Sequence, residues 1–350
     1  MSAIADYAYL HCRVSICAEG LLSSQRMAEL AACPPAQIAE ILRDARFEGM
    51  AEELPATPRS LEQAVIDDYL QDIVVLMRPL KGAARAFLKH WAHRYEIINL
   101  KRCIRHQAAG LPPADLKKSL IDIGPVEELP LEELLRAENA EEVLRSLEGT
   151  PYADMARHAR AVYEERHSLF DLEAVLDSQY YRGLFDRYKA LSESDRQPLT
   201  NLLGALGDQV NLVWLLRYRF VFGLAPPHAY LLLIPSGRML KHAQLLDLVQ
   251  MEKMVDVLQS LPSPLVEEFG DASSIVEVEK GMDKRTQREA YRVLQHTQFN
   301  LARVIAYLAL RERQILKVHA AIKGRILNLD EESIRIAARL PETFLDETAA

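Results

Sequence analysis

The chain has 350 residues, 49% hydrophobic and 26% charged, a balance that supports substantial buried cores and not a disordered segment. Lys plus Arg number 42 against 50 Asp plus Glu, a formal net charge of −8, which argues against general nucleic-acid binding because that needs a basic footprint. The four cysteines, Cys12, Cys17, Cys33 and Cys103, lack the paired C-x2-C spacing of a zinc site and read as reduced, partly buried thiols of a cytosolic protein. Asp6 stands where a secretory signal would be basic and then apolar, so no signal is expected. The longest apolar stretch, Phe220 to Pro235, is interrupted by Pro226, Pro227 and His228 and falls short of the roughly 20 apolar residues of a spanning helix.

In chain order, YAYLHCRVSICAEGL opens at Tyr7 as an apolar helix, with Arg13 six residues on and Gly20-Leu21 closing the run. Gly at that place is a helix C-terminal signal because it tolerates left-handed backbone. A short helix, a break at Pro34-Pro35 and a second helix with Ile38, Ile41 and Leu42 on one face come next. A longer helix opens after Pro58 with Ser60 as N-cap, and sets Leu61, Val65, Tyr69 and Ile73 at helical spacing. The first frame then returns as NLKRCIRHQAAGL, with Asn99, Arg105 and Gly110-Leu111 in register. Between Leu129 and Tyr152 two short helices flank Asn139, carrying Leu144 and Leu147, and LEAVLDSQYYRGLF mirrors LEQAVIDDYLQDI. Each of the mirrored segments places a Leu-Glu pair about one turn before an Asp: Glu62 before Asp67, Glu173 before Asp177. A helical run to Gly207 closes this second unit.

A third copy, NLVWLLRYRFVFGL, has Asn211, Arg217 and Gly223-Leu224. Leu258 and Leu261 echo Leu144 and Leu147, and Glu279 stands four before Asp283. The Asn-Leu step recurs a last time at Asn300, within what is predicted as one long helix from about Thr286 past Lys323. Only Tyr230 to Ile234 carries a short strand signal. The recurrence predicts an all-α protein of three similar helical domains, 1–94, 95–207 and 208–297, followed by a closing helix and tail, 298–350. Repeated apolar faces must stack to be buried. Both terminal helices are as apolar as the inner ones, which predicts units gathered about a pseudo-threefold axis.

The opening YAYLHCRVS, the inner NLK and NLV helices, the Leu-Glu…Asp segments and the closing YLALRERQILKVHAAIKGR together resemble the C subunit of V-type and A-type ATPases, the family of the eukaryotic V-ATPase d subunit. The resemblance spans nearly the whole chain. It implies a funnel of three helical domains that performs no chemistry and needs no cofactor. Such a protein sits in the central stalk, receives the shaft made by the D and F subunits, and rests on the membrane proteolipid ring, coupling ATP-driven ion transport or ATP synthesis. Its place would be cytoplasmic, peripheral to the membrane through the complex. Gln314 and Lys317-Val318-His319 depart from the family's closing pattern, which often has a carboxylate and a Leu-x-x-Ile step there.

Candidate partner contacts follow. Arg13, Arg105 and Arg217 recur at one helical position; they either pair with Asp67, Asp177 and Asp283 of their own units or line a cavity gripping the shaft. The cluster Arg311, Arg313, Lys317, Lys323 and Arg325 complements a helix dipole or meets a partner. Leu224 and Tyr230, at the Gly-Leu end of the third signature helix, are candidates for the ring-facing surface, with burial inside the third unit as the plainer alternative. The acidic block Glu127 to Glu148 reads as a solvated face.

Two other readings compete with this one. Asp67, Asp68 and Asp72 could hold Mg²⁺ and a diphosphate, as in an all-α class I isoprenoid synthase, but no second carboxylate cluster is evident. His90, His93 and Glu96 have helical metal-ligand spacing without the H-E-x-x-H pattern, and ordinary core or surface histidines outweigh a metal. An unrelated helical adaptor is the remaining alternative. No G-x-x-x-x-G-K-[ST] loop is present.

Overall fold

A computed structural model describes residues 3–33, 35–47 and 58–338, and every regular element among them is helical. The chain opens with α1 (Ala3–Ala18), α2 (Ser24–Ala32), α3 (Pro35–Asp44), α4 (Pro58–Met77) and α5 (Gly82–Ala92). There follow α6 (Arg94–Ala108), α7 (Pro113–Ser119), a 3₁₀ turn at Gly124–Val126, α8 (Leu131–Arg136), α9 (Ala140–Arg145), α10 (Ala153–Arg166), α11 (Leu169–Lys189) and α12 (Glu193–Phe220). The remainder is α13 (Pro226–Leu232), α14 (His242–Val249), α15 (Met254–Gln259), α16 (Leu265–Phe269), α17 (Ile275–His296), α18 (Leu301–Ile326) and α19 (Glu331–Ala337). Two compact units divide these elements: Met1–Ala92 with Ser119–Glu127 and Ala290–Ala350, and His93–Lys118 with Glu128–Glu289.

The first unit is built on α18. Leu301, Val304, Ile305, Tyr307 and Leu308 are each at most 1% exposed, and a helix apolar on most sides belongs in a core. It packs against α4, α1, α2 and α19. On α4, the predicted stripe of Leu61, Val65, Tyr69 and Ile73 is buried to 1% exposure or less. That helix begins at Pro58, which puts Ser60 inside the first turn and not at the N-cap. Pro suits a first helical position because its missing N–H is unneeded there. Ile38, Ile41 and Leu42 are buried as predicted, while Pro34 lies outside the described residues.

The long closing helix is two helices. At Phe299 the backbone turns left-handed (φ 54°), and the Asn300 side chain caps α18 by accepting from the Arg303 N–H. Arg303 Nη1 reaches back to the carbonyls of Leu294 and Thr297, fastening the end of α17. A side-chain oxygen that satisfies an orphan N–H starts a helix, so Asn300 interrupts what helical periodicity alone would have run through.

In the second unit, α8 and α9 flank Asn139, whose side chain accepts from the Glu142 N–H at 2.9 Å. Leu144 and Leu147 end α9 as Leu258 and Leu261 end α15, and all four are at most 4% exposed. The same closing bonds recur, Ser146 N–H to Glu142 and Ser260 N–H to Asp256. Helix α12 runs unbroken for 28 residues through Gly207 and Asp208, where the sequence division between second and third repeats falls. Gly207 is required there because a Cβ would collide with the Ser236 carbonyl and the Phe185 ring. The strand signal at Tyr230 to Ile234 is overturned: Pro226 and Pro227 start α13, which runs to Leu232.

Candidate functional site

The recurring residues of the signature helices take up distinct jobs. Asn99 and Asn211 lie mid-helix and are fully buried. Asn211 Nδ2 donates to the carbonyls of Ile234 (2.9 Å) and Ser236 (3.3 Å), and its Oδ1 accepts from the Ile234 N–H (2.9 Å). It therefore holds the chain leaving α13 against α12. Neighbouring Asp208 does the same for the next turn, accepting from the N–H groups of Met239 and Leu240. Burial pushes its carboxyl above the ordinary aspartate range, opposed by those amides.

Arg105 and Arg217 pair with glutamates, not with the expected aspartates. Arg105 grips Glu173 with both Nε and Nη2, and Arg217 Nη2 donates to Glu279 at 2.7 Å. Asp177 instead receives Lys101 at 2.7 Å, and Asp283 receives the side-chain amides of Gln209 and Gln287. The partner helices run antiparallel, so stepping one turn forward from Glu173 to Asp177 meets a residue one turn back on α6, Lys101 rather than Arg105. Arg13 is half-buried, and its Nε makes no hydrogen bond among the described residues. Asp67 receives Gln63.

The glycines also diverge. Gly110 and Gly223 are left-handed, φ 62° and 65°, and end their helices as expected. Gly20 does not adopt that conformation. A Cβ there would meet Arg46 Cδ at 2.5 Å, so it is a close-approach glycine. On either side of Gly223 large apolar side chains are exposed: Val221, Phe222 and Leu231 at 63%, 52% and 66%. Leu224 and Tyr230 are half-buried, Tyr230 edge-on to His242, while Leu232, Leu233 and Ile234 are buried.

The basic cluster of α18 splits. Arg311 is 2% exposed: Nη1 donates to the Ala45 carbonyl (2.8 Å), Nη2 to Arg46 (3.1 Å), and the guanidinium lies over the Phe47 ring. Its Nε is 3.8 Å from Asp72, which also accepts the Tyr307 hydroxyl. Arg325 donates to the Ala31 carbonyl and Gln314 to that of Gly20. Arg313 bonds within its own helix, to Ala309, and Lys323 is exposed. Arg311 is thus consumed inside the unit. So is Asp72, and Asp67, five residues earlier, lies roughly 140° away around the helix. The three aspartates do not converge on one diphosphate site.

His93 and Glu96 come together, joined by Glu128, which helical spacing could not have found. His93 Nε2 is 2.9 Å from Glu128 Oε2 and 3.8 Å from Glu96 Oε2. Glu96 accepts from the N–H groups of Glu128 and Leu129 and from the Tyr152 hydroxyl. Of the cysteines, Cys12 is exposed and the other three are buried; burial pushes the Cys103 thiol up to about 12.

Residues 10–336 match the family model of the ATP synthase (C/AC39) subunit. The chain belongs to that family. It is 26% identical over 346 residues to the C subunit of the A-type ATP synthase of Methanocaldococcus jannaschii, covering 95% of this chain and 86% of the relative. The corresponding C subunits of Halobacterium salinarum (22%, covering 95% and 97%) and Pyrococcus furiosus (23%, covering 91% and 86%) are similar. The protein is accordingly a rotary-ATPase component of a non-catalytic, structural kind, and the isoprenoid-synthase and unrelated-adaptor readings fall. Among the described residues no helix is long and apolar enough to cross a membrane.

Proposed function

We propose that this chain is the central-stalk socket that joins the shaft of the D and F subunits to the membrane proteolipid ring, passing torque between them from the cytoplasmic side. The family match across residues 10–336 carries this reading. The three repeat units would stand about a pseudo-threefold axis. The ring-facing surface is assigned to the end of α12, where Val221, Phe222 and Leu231 expose apolar surface beside Leu224 and Tyr230. Large apolar side chains left exposed near one helix end are the candidates for such an interaction surface. The residues offered to the shaft or ring by charge are Arg13, Arg105, Arg217, Arg313 and Lys323.

The test is a pull-down of the detergent-solubilised complex with this chain as bait. Wild type should bring down D, F and the proteolipid. Phe222→Glu and Leu231→Glu should retain D and F while losing the proteolipid. Retention of the proteolipid by well-folded variants would mean that another face meets the ring, and recovery of neither shaft nor ring by wild type would remove the socket reading.

A further inference from the structure

We propose that His93, Glu96 and Glu128 form a site for one divalent transition-metal ion of the zinc class. The three ligand atoms, His93 Nε2, Glu96 Oε2 and Glu128 Oε2, lie within 4.8 Å of one another. Bonds of about 2.0–2.1 Å in a four-coordinate zinc site place neighbouring ligand atoms roughly 3.3 Å apart. The separations here, 2.9 Å and 3.8 Å, bracket that edge, so small side-chain movements admit an ion. One imidazole with two carboxylates suits zinc or a similar ion. It lacks the six to eight oxygens of calcium and the octahedral oxygen shell of magnesium.

Charge balance points the same way. His93 is 5% exposed and Glu96 is 0% exposed, so any charge there is poorly solvated. Two carboxylates converge on one imidazole, and buried charge is costly unless it is paired. A divalent ion with neutral imidazole cancels both carboxylates. The surroundings hold the ligands in place. Glu96 Oε1 is fixed by the Glu128 and Leu129 N–H groups, which at the same time fix the backbone that presents Glu128. The Tyr152 hydroxyl orients Oε2. Outer-shell bonds of this type orient metal ligands. Glu128, with its side chain 24% exposed, is the open side, where an ion enters and a water completes the shell.

The experiment uses the full chain, stripped with chelator, dialysed and titrated with Zn²⁺, and separately with Co²⁺ as a visible probe. One equivalent of Zn²⁺ should survive dialysis, and Co²⁺ should give the absorption bands of a four-coordinate site. Glu128→Gln, at the open side, should keep its helix content by circular dichroism. It should lose the Co²⁺ bands and bind Zn²⁺ more than roughly 10- to 100-fold more weakly, the loss expected even for an outer-shell partner. His93→Gln should do the same if it folds. Failure of the wild type to retain Zn²⁺, or unchanged binding in folded Glu128→Gln, overturns the site.

Discussion

Replacing Arg311 with methionine keeps a long apolar stem and removes the guanidinium from the centre of the first unit. Two charge-assisted hydrogen bonds to the Ala45 and Arg46 carbonyls disappear, each worth about 1.5–3 kcal/mol. The stacking on Phe47 adds about 0.5–2 kcal/mol. Against these stands the relief of desolvating the charge, so the net loss is not their sum. Breaking a buried pair by removing one partner costs about 3–5 kcal/mol. Asp72 remains 17% exposed, and water reaching it favours the lower end, about 3 kcal/mol. Roughly 2–4 °C are lost per kcal/mol in cooperative units of about 150–250 residues, so the melting transition should fall by about 6–12 °C. Scanning calorimetry on the full chain would read it. Arg311→Lys should lie in between, since a point charge cannot bridge two carbonyls and stack on a ring. Adding Asp72→Asn should recover part of the methionine variant's loss by neutralising the stranded carboxylate. A fall below about 3 °C, or strict additivity in the double variant, would refute the clamp.

Asn211→Ala should cost about 2–4 kcal/mol by urea unfolding, because three hydrogen bonds go, two of them buried, while Asn300→Ala should cost about 1 kcal/mol as a lost cap; equal losses would refute the different roles. Gly223→Ala, in open space at φ 65°, should cost about 1 kcal/mol, and Gly207→Ala distinctly more because it strikes backbone. Asp208 has a folded value raised above its unfolded one, so its contribution is fully present below the unfolded aspartate value and lost as pH rises through the folded value. Wild type should therefore gain stability relative to Asp208→Asn as the pH is lowered from neutral into the carboxylate range, and a flat difference would contradict this. Arg105, with its side chain 60% exposed, should couple to Glu173 by no more than about 1 kcal/mol in a double-mutant cycle. A larger loss of D/F binding than of stability in Arg105→Ala would mark it as a shaft contact.

Periodicity made the helices and their apolar faces legible, from the stripe on α4 to the paired leucines at the ends of α9 and α15. What it could not supply was the role of a residue whose type recurs. Asn211 and Asn300 share an Asn-Leu step, yet one holds a distant loop and the other starts a helix. The difference lies in what stands before them: α12 is already helical at Asn211, whereas Thr297 to Phe299 break the turn before Asn300. Gly20 and Gly223 share a frame but not a conformation, since the constraint on Gly20 is Arg46, 26 positions away in sequence. Glu128 joined His93 and Glu96 only through the fold. The pairing of Arg105 was misjudged by one turn because a single strand of sequence carries no register between helices.

The buried members of the α18 cluster share one helical face. At roughly 100° per residue, Arg303, Tyr307, Arg311, Gln314, Val318 and Arg325 fall within about 80° of one another, a single stripe. That stripe contains the groups that bond to other segments of the first unit: Ser15, Asp72, the Ala45 and Arg46 carbonyls, Gly20 and Ala31. Leu316 and Lys323 fall elsewhere on the wheel, and both are exposed. Long cations interleaved with Tyr and Val on one face belong to a buried polar seam, and their charge alone misdirects them to the surface. The seam has a mechanical consequence. Apolar contact is non-directional and lets helices slide or roll, whereas a guanidinium bridging two carbonyls fixes both rotation and height. Carbonyls just after α1 and α3 and in the last turn of α2 are held in this way by α18. Arg311 and Arg325, facing the ends of α3 and α2, are favoured by the helix dipole as well as by their bonds, while the neutral Gln314 amide holds the end of α1. A unit pinned through directional bonds to one central helix resists shear, which is what passing torque from a shaft to a ring would ask of it.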